Sequence, residues 1–326
     1  MPNLKTKEIQ VEVPDSQSMF DLLGHRDELL KIIEDAFASR ILVRGNKVTI
    51  TGNEKEAEIV SNIFLELLEI LKAGERLTKQ SVKQTVDLIK AEDGDLTPKE
   101  IFSDTILIHR GKAIGPKTPG QKRYIDAIRA NTATFAIGPA GTGKTYLAMA
   151  MAVQALSKKL VSRIILTRPA VEAGEKLGYL PGTLFEKVDP YLRPLYDALF
   201  DMMEPDRFNQ LLDTGSIEVA PLAFMRGRTL NESFIILDEA QNTSPKQMKM
   251  FLTRLGFGSK VVITGDVTQI DLPYDQRSGL QVIENILKDI NDLKFVRLSS
   301  KDVIRHKLVQ EIVEAYRRYE ENKEGQ

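Results

Sequence analysis

From about residue 100 onward, short apolar runs alternate with longer segments of helical character. The runs have the length of buried strands, and they occupy residues 134–137, 163–167, 217–220, 233–237, 260–264 and 294–298. Regular alternation of strands with helices favours one mostly parallel sheet that helices cover on both faces. The pattern therefore predicts an α/β fold for this part of the chain.

The first ninety or so residues show a different arrangement. Val11 and Val13 alternate with polar residues as in a short strand, and residues 41–50 have the pattern of a hairpin around a polar turn. Apolar residues at helical spacing predict three helices, through residues 29–37, 59–71 and 78–89. We therefore expect a small α/β unit that is separate from the parallel sheet.

A polar stretch, Ala-Glu-Asp-Gly-Asp at residues 91–95, interrupts these patterns. We place the domain boundary there, because such a break is typical of a linker between folded units. The expected organisation is a small domain over residues 1–95, a lead-in over 96–118 and the main α/β domain over 119–326.

Composition narrows the class of protein. The 326 residues are 42% hydrophobic and 28% charged. They include no Cys, which excludes disulfides, thiolate zinc sites and Cys nucleophiles. The three His are too far apart in sequence to suggest a metal cluster. No apolar run approaches the roughly 18 residues that a membrane span needs, and the first ten residues do not have the pattern of a secretion signal. We expect a cytoplasmic protein that has no membrane partner.

The charge distribution bears on nucleic-acid binding. Residues 1–95 carry 13 Lys and Arg against 18 Asp and Glu, whereas the whole chain has a net charge of -1. A nucleic-acid surface must therefore be local, since the protein as a whole does not attract a polyanion.

A glycine-rich loop follows the apolar run at residues 134–137 and precedes an Ala-rich helical segment. Its residues are Gly138, Pro139, Ala140, Gly141, Thr142, Gly143, Lys144 and Thr145. This spacing is that of a phosphate-binding loop, in which backbone N–H groups surround the phosphates of a nucleotide, the lysine reaches the β- and γ-phosphates, and the last hydroxyl ligates Mg²⁺. The start of the following helix directs its positive end at the same anion. The loop predicts a site for a nucleoside triphosphate with Mg²⁺.

Two carboxylates follow another buried run. Asp238 and Glu239 come directly after residues 234–237, at the strand end where open parallel sheets bind their ligands. Asp238 is suited to hold Mg²⁺, and Glu239 to orient and deprotonate the water that attacks the γ-phosphate. Alone, such a pair is more often a strand end with solvated charges. Downstream of a phosphate-binding loop, we interpret it as the second half of the nucleotide site.

The next strand ends in a third polar group, Gly265 to Gln269. Thr264 and Gln269 are candidates to sense the γ-phosphate, and Gly265 would permit close packing. A plain turn rich in Gly and Asp remains the alternative.

The order of these segments resembles the phosphate loop, the DExQ motif and the GDxxQ motif of superfamily 1 helicases. Together with Thr118 to Gln121, with the segment from Leu166 to Gly178, and with Val303 to His306, the pattern closely resembles the PhoH-like ATPase family over essentially the whole chain. The resemblance implies a P-loop NTPase core of the RecA-like type, with a mostly parallel sheet between helices, and an N-terminal α/β domain that is KH-like.

The resemblance assigns further roles. It implies that Gln121 contacts the adenine and confers a preference for ATP, although a Gln at this position could simply start a helix. Thr167, Arg168 and Pro169 occupy the place of helicase motif Ia, whose residues touch the nucleic-acid strand or organise the phosphate site. A solvated loop is the alternative for them.

An arginine that neutralises charge in the transition state is also implied. Superfamily 1 helicases supply it from a second core domain, which this chain lacks, so it should come from a neighbouring subunit. Arg254 and Arg305 are the candidates, and each could instead be a surface salt-bridge partner. The resemblance similarly suggests a homo-oligomeric ring, with a hexamer as the expected size, in which ATP binds between subunits.

RNA is the expected partner of such an ATPase. A KH domain holds RNA with a GxxG loop, whereas the nearest candidate here, Gly24 to Asp27, ends in a carboxylate. The nearby basic cluster, Arg40, Arg44 and Lys47, could equally be a solvated face. The resemblance further suggests helicase-like action and association with a YbeY-type endoribonuclease.

The leading interpretation is thus a Mg²⁺-dependent ATPase that works on RNA. Two other readings stay open. One is a slow ATP-dependent switch or scaffold that does not unwind RNA, and the other is a small-molecule kinase.

Overall fold

The structure is a computed structural model that describes residues 6–90, 97–169, 184–273 and 276–304, together with residues 308, 309, 311–313, 315, 316 and 318. Contacts divide the chain into two units, Met1–Thr105 with Gly115–Lys122, and Ile106–Ile114 with Arg123–Gln326. The second unit thus includes part of the expected lead-in. The boundaries drawn from the sequence at residues 95 and 118 stay a prediction.

The first unit combines a three-stranded sheet with helices. Its elements are β1 (Thr6–Glu12), α1 (Ser16–Leu23), α2 (Glu28–Glu34), β2 (Arg40–Arg44), β3 (Lys47–Asn53), α3 (Glu54–Lys72), α4 (Lys79–Lys90) and α5 (Pro98–Phe102). The sheet has the order β1-β3-β2 and is antiparallel throughout, with Val48 opposite both Val11 and Val43. Val11, Val48 and Ile50 belong to one apolar cluster with residues of α1, α2, α3 and α4. Helices cover the sheet because its buried apolar residues need an apolar partner surface.

The GxxG-like segment of the first unit connects α1 to α2. Gly24, Arg26 and Asp27 all have positive φ angles, of 74°, 53° and 61°. Such angles are uncommon for Arg and Asp, so this turn stores backbone strain. The KH-like assignment itself stays a prediction.

The second unit contains the parallel sheet that the alternating pattern predicts. Its elements are β4 (Leu107–His109), β5 (Lys112–Ile114), α6 (Pro119–Ala130, whose first turn belongs to the first unit), β6 (Ala133–Ile137), α7 (Lys144–Ser157), β7 (Arg163–Arg168), α8 (Leu184–Phe200), α9 (Pro205–Asp213), β8 (Ile217–Pro221), β9 (Ser233–Leu237), α10 (Pro245–Leu252), β10 (Lys260–Gly265), α11 (Gly279–Leu287) and β11 (Leu293–Arg297). Six of these strands form one sheet in the order β11-β6-β10-β9-β7-β8, and every pairing in it is parallel. The predicted α/β fold class is confirmed.

Both faces of this sheet are buried. Along β9, Phe234 and Ile236 belong to one apolar cluster, whereas Ile235 and Leu237 belong to a second cluster on the other face. Successive side chains of a strand point to opposite faces, so a strand with two buried faces has to be apolar throughout. This explains why the strands occur as continuous apolar runs in the sequence.

Among the described residues, no helix combines the length and the apolar character that crossing a bilayer requires.

Candidate nucleotide-binding site

Strand register brings the predicted motifs to one edge of the sheet. Ile137 at the end of β6 pairs with Gly265 at the end of β10, and Leu237 at the end of β9 pairs with Thr167 near the end of β7. The residues that follow these strands therefore emerge side by side at the carboxyl edge, where open parallel sheets bind ligands.

The glycine-rich loop spans residues 138–143 between β6 and α7, and its glycines have distinct structural roles. Gly141 and Gly143 have φ angles of 84° and 77°, in the left-handed region that favours glycine. At Gly138, a Cβ atom would lie 2.5 Å from the backbone oxygen of Leu298, so no larger residue fits without moving that backbone. The first N–H groups of α7 have no acceptor within their helix. The loop and helix start thus present the donors of a phosphate site.

Lys144, the first residue of α7, is only 9% exposed. Its Nζ donates to the backbone oxygens of Gly138 and Pro139, at 2.7 and 2.8 Å. Burial lowers the pKa of Lys144, while the negative charges of Asp266, Glu239 and Asp238 oppose that shift. The ammonium group therefore lies within the loop, and three carboxylates are near enough to favour its charged form.

Thr145 and Asp238, the two predicted Mg²⁺ ligands, lie in direct contact. The Thr145 Oγ1 donates to Oδ1 of Asp238 at 2.6 Å, and the Thr264 hydroxyl donates to the same carboxylate oxygen at 2.9 Å. The backbone N–H of Asp238 donates to the backbone oxygen of Thr167 at 2.9 Å. Hydroxyl and carboxylate oxygens are hard ligands of the type that Mg²⁺ prefers. The residues present thus fit Mg²⁺, with Thr145 and Asp238 as the groups that would hold it.

Glu239 lies in the turn after β9, with φ 52° and ψ 40°. A non-glycine residue in this left-handed region is uncommon and costs conformational energy, and such residues concentrate at functional sites. Its two carboxylate oxygens have separate donors: Arg168 Nη2 lies 2.9 Å from Oε1, and Gln241 Nε2 lies 2.5 Å from Oε2.

Gln241 also joins the ends of β9 and β10. Its Oε1 accepts from the N–H of Asp266 at 3.0 Å, and its Nε2 donates to the backbone oxygen of Gln269 at 3.0 Å. Gly265 makes this approach possible, since a Cβ there would lie 2.8 Å from the Gln241 Oε1.

Asp266 ties this turn to the glycine-rich loop. Its carboxylate accepts from the Ala140 N–H at 3.2 Å and from the Gln269 Nε2 at 3.0 Å. Gln269 is therefore held beside the loop, although its role toward the γ-phosphate stays a prediction.

These residues enclose a cavity of about 270 Å³ at the carboxyl edge. Its lining comprises Ala140, Gly141, Gly143, Lys144, Thr145, Tyr146, Asp238, Glu239, Gly265, Asp266 and Gln269. The loop, the acidic pair and the end of β10 thus contribute to one cavity.

Other predicted site residues have different placements. Gln121 is buried in α6, where its side-chain oxygen accepts from the Lys117 N–H at 2.8 Å, and its contact with adenine stays a prediction. Arg254 does not line the cavity; its guanidinium donates to the backbone oxygens of Met250 and Arg228, at 3.1 and 3.0 Å. Arg305 lies outside the described residues, and the proposed action of either arginine on a neighbouring subunit stays untested.

Two contacts of the site were missed by the sequence analysis. Arg168 was assigned only to a motif that touches nucleic acid or organises the phosphate site, and Gln241 was given no role. The rule that parallel strands present their carboxyl ends at one edge could have indicated Arg168, because it ends β7. No local signal identifies the contacts of Gln241 with Asp266 and Gln269, because they depend on the order of the strands.

The chain is also similar in sequence to several known proteins. The sequence model of the family described as "PhoH-like protein" matches residues 113–317. A PhoH-like protein of Mycobacterium tuberculosis (strain ATCC 25618 / H37Rv) is 59% identical over 304 residues, which cover 93% of this chain and 86% of that protein. A PhoH-like protein of Bacillus subtilis (strain 168) is 48% identical over 295 residues, 90% of this chain and 92% of that protein. Protein PhoH of Escherichia coli (strain K12) is 43% identical over 202 residues, 61% of this chain and 57% of that protein. The glycine-rich loop, the acidic pair and these similarities together show that the chain belongs to the PhoH-like protein family.

Proposed function

We propose that the chain is a Mg²⁺-dependent ATPase that transfers the γ-phosphoryl group of ATP to water. The observation that carries this proposal is the 2.6 Å contact between Thr145 Oγ1 and Asp238 Oδ1. It joins the glycine-rich loop to the acidic pair, in a cavity that Lys144 and Glu239 also line.

Each residue has a chemical task in this reaction. The backbone N–H groups of the loop bind the phosphates, and Lys144 neutralises part of their charge. Thr145 and Asp238 would hold Mg²⁺, which when bound withdraws charge from the phosphate oxygens. Glu239 accepts a proton from the attacking water, whose oxygen forms a bond to the γ-phosphorus while the bond to the bridging oxygen of ADP breaks. The products are ADP and inorganic phosphate.

The test measures phosphate release and ATP binding in the full-length protein and two variants. We expect Lys144→Ala to abolish tight ATP binding, and Glu239→Gln to keep binding while hydrolysis falls by about 10²–10⁴-fold. Normal hydrolysis by Glu239→Gln would remove Glu239 from the role of base.

Matched controls exist on the same elements. Lys158 is exposed and follows the last residue of α7, and Glu232 is exposed and lies at the opposite end of β9, also at a positive φ of 47°. We expect Lys158→Ala and Glu232→Gln to hydrolyse ATP at the rate of the unaltered protein.

We further propose that hydrolysis is coupled to work on RNA. Support comes from membership of the PhoH-like family and from the likeness of its three motifs to those of superfamily 1 helicases. Single-stranded RNA should then increase the rate of phosphate release. Unchanged turnover would favour the switch or scaffold, and ATP consumption without free phosphate would favour a kinase. Association with a YbeY-type endoribonuclease belongs to the same proposal and can be tested by co-purification.

A homo-oligomeric ring is the third part of the proposal, because none of the described residues that line the cavity is an arginine. A neighbouring subunit would supply it through Arg254 or Arg305. Mixing inactive Lys144→Ala subunits with inactive Arg254→Ala subunits tests this, since some interfaces of a mixed ring join an intact loop to an intact arginine. Recovered phosphate release would support Arg254 in that role, and a full-rate monomer at high dilution would refute the ring.

A further inference from the structure

The Glu239 carboxylate is held from two sides. Arg168 approaches Oε1 from the end of β7, and Gln241 approaches Oε2 from the short helical turn at residues 240–242. A carboxylate has about four lone-pair sites, so two donors restrict its rotation and still leave sites that can accept from water. The arrangement restrains the group without blocking it.

Without these donors, Glu239 would be mobile. Its side chain is 33% exposed, and a glutamate has several rotatable bonds whose freedom must be lost before the carboxylate can face one direction. Effective proton transfer requires the base to be within hydrogen-bonding distance of the water that it deprotonates. A restraint on Glu239 therefore has a direct consequence for the rate.

Arg168 is well placed to supply this restraint. It is the last residue of β7, and the preceding residue, Thr167, is paired with Leu237 in β9. The backbone of Arg168 is thus anchored beside the acidic pair. Its side chain is 22% exposed, and its Nε lies 4.0 Å from Oδ2 of Asp238, farther than the 2.9 Å contact of Nη2 with Glu239. Glu239 is therefore the closer partner.

We propose that Arg168 is a positioning residue for ATP hydrolysis, and that it acts by holding the Glu239 carboxylate in the orientation that accepts a proton from water. This inference rests on the proposed function. Gln241 contributes to the same restraint, but its contacts with the end of β10 make it a structural link as well. Substitution of Arg168 therefore tests the restraint on Glu239 without removing the Gln241 link to β10.

The test is a double-mutant cycle, in which kcat and KM are measured for the full-length protein, Arg168→Ala, Glu239→Gln and the double variant. We expect Arg168→Ala to lower kcat by about 10–100-fold, because small misplacements of reacting groups cost factors of this size. KM for ATP should change by less than about threefold, since the phosphate-binding groups are intact. Arg168→Lys should recover part of kcat, because an ammonium group can still reach one oxygen.

The decisive result is the behaviour of the double variant. If Arg168 acts through the Glu239 carboxylate, Arg168→Ala should have almost no further effect on kcat once Glu239→Gln is present. If the two losses multiply, Arg168 acts elsewhere, for example through Asp238 and Mg²⁺, and the inference is overturned. Should Arg168→Ala fail to fold, as judged by lost binding of a nonhydrolysable ATP analogue, the cycle is run with Arg168→Lys and the same criterion.

Arg163 provides the control. It begins β7 at the opposite edge of the sheet, and its Nε donates to Ser233 Oγ at 3.1 Å. Arg163→Ala should leave kcat unchanged. Failure of the inference is distinguishable from failure of the proposed function. Normal hydrolysis by Glu239→Gln contradicts the proposed base, whereas a slow Glu239→Gln with a fully active Arg168→Ala contradicts only the role of Arg168.

Discussion

Two threonines at the carboxyl edge should respond in opposite ways to the loss of a hydroxyl group. Thr145 Oγ1 donates to the Asp238 carboxylate at 2.6 Å. Thr167 is fully buried, and among the described atoms its Oγ1 has no hydrogen-bond partner. Substitution by Val keeps the shape of the side chain and replaces the hydroxyl with a methyl group, so the two variants compare the loss of a bonded hydroxyl with the loss of an unbonded one.

The expected magnitudes follow from these contacts. A hydrogen bond to a charged group contributes about 1.5–3 kcal/mol, and we take about 1–2 kcal/mol for Thr145→Val because Thr145 is only partly buried. For a unit of this size, that loss lowers Tm by about 2–8 °C. Thr167→Val should leave the free energy of unfolding unchanged or raise it by up to about 1 kcal/mol, because an unsatisfied buried hydroxyl is removed.

The assay is thermal unfolding of the full-length protein without nucleotide or Mg²⁺, followed by phosphate release over a range of Mg²⁺ concentrations. Thr145→Val should also lose most Mg²⁺-dependent hydrolysis, since a proposed ligand is gone. Equal Tm values for Thr145→Val and the unaltered protein, or equal losses in both variants, would refute the reasoning about the hydroxyl groups.

Two further predictions concern the loop and the first unit. Gly138→Ala should cost about 1–3 kcal/mol of stability and weaken ATP binding, because the new Cβ would lie 2.5 Å from the Leu298 backbone oxygen; unchanged ATP affinity in a titration would contradict this. Hydrogen bonds from Lys72 and Lys99 lower the pKa of Glu69 to about 2. The two ion pairs therefore stabilise the folded state at pH values above the unfolded-state pKa of 4.5, and this contribution is lost as the pH falls toward 2. NMR titration of Glu69 should show this pKa, with an upward shift in Lys99→Ala, and a midpoint near 4.5 in the unaltered protein would contradict it.

Much of the candidate site could be predicted from local sequence. Residues 138–145 are contiguous, and their glycine spacing is that of a phosphate-binding loop. The loop could therefore be predicted without knowing which other segments pack against it. Asp238 and Glu239 were identifiable because they follow an apolar run. A strand that is buried on both faces appears in the sequence as such a run. The structure confirms the fold class and brings the acidic pair to the loop.

The contacts between strands could not be predicted in this way. The strand order places β10 between β6 and β9, and this order sets Asp266 against the loop and Gln241 across two strand ends. The partner of Arg168 also depends on the pairing of β7 with β9. Arg254 was a candidate because the family resemblance implies an arginine from a neighbouring subunit, and the structure shows its guanidinium donating to backbone oxygens of its own chain.

The sequence by itself determined the glycine-rich loop, the alternation of strands and helices, and the acidic pair, because each depends on residues close together in the chain. Only the tertiary structure decided which strand ends are neighbours, and thus that Thr145 meets Asp238 and that Arg168 holds Glu239. The physical reason is range. Hydrophobic periodicity and turn chemistry depend on a few neighbouring residues. The pairing of strands depends instead on burying the apolar faces of a sheet whose strands come from distant parts of the chain.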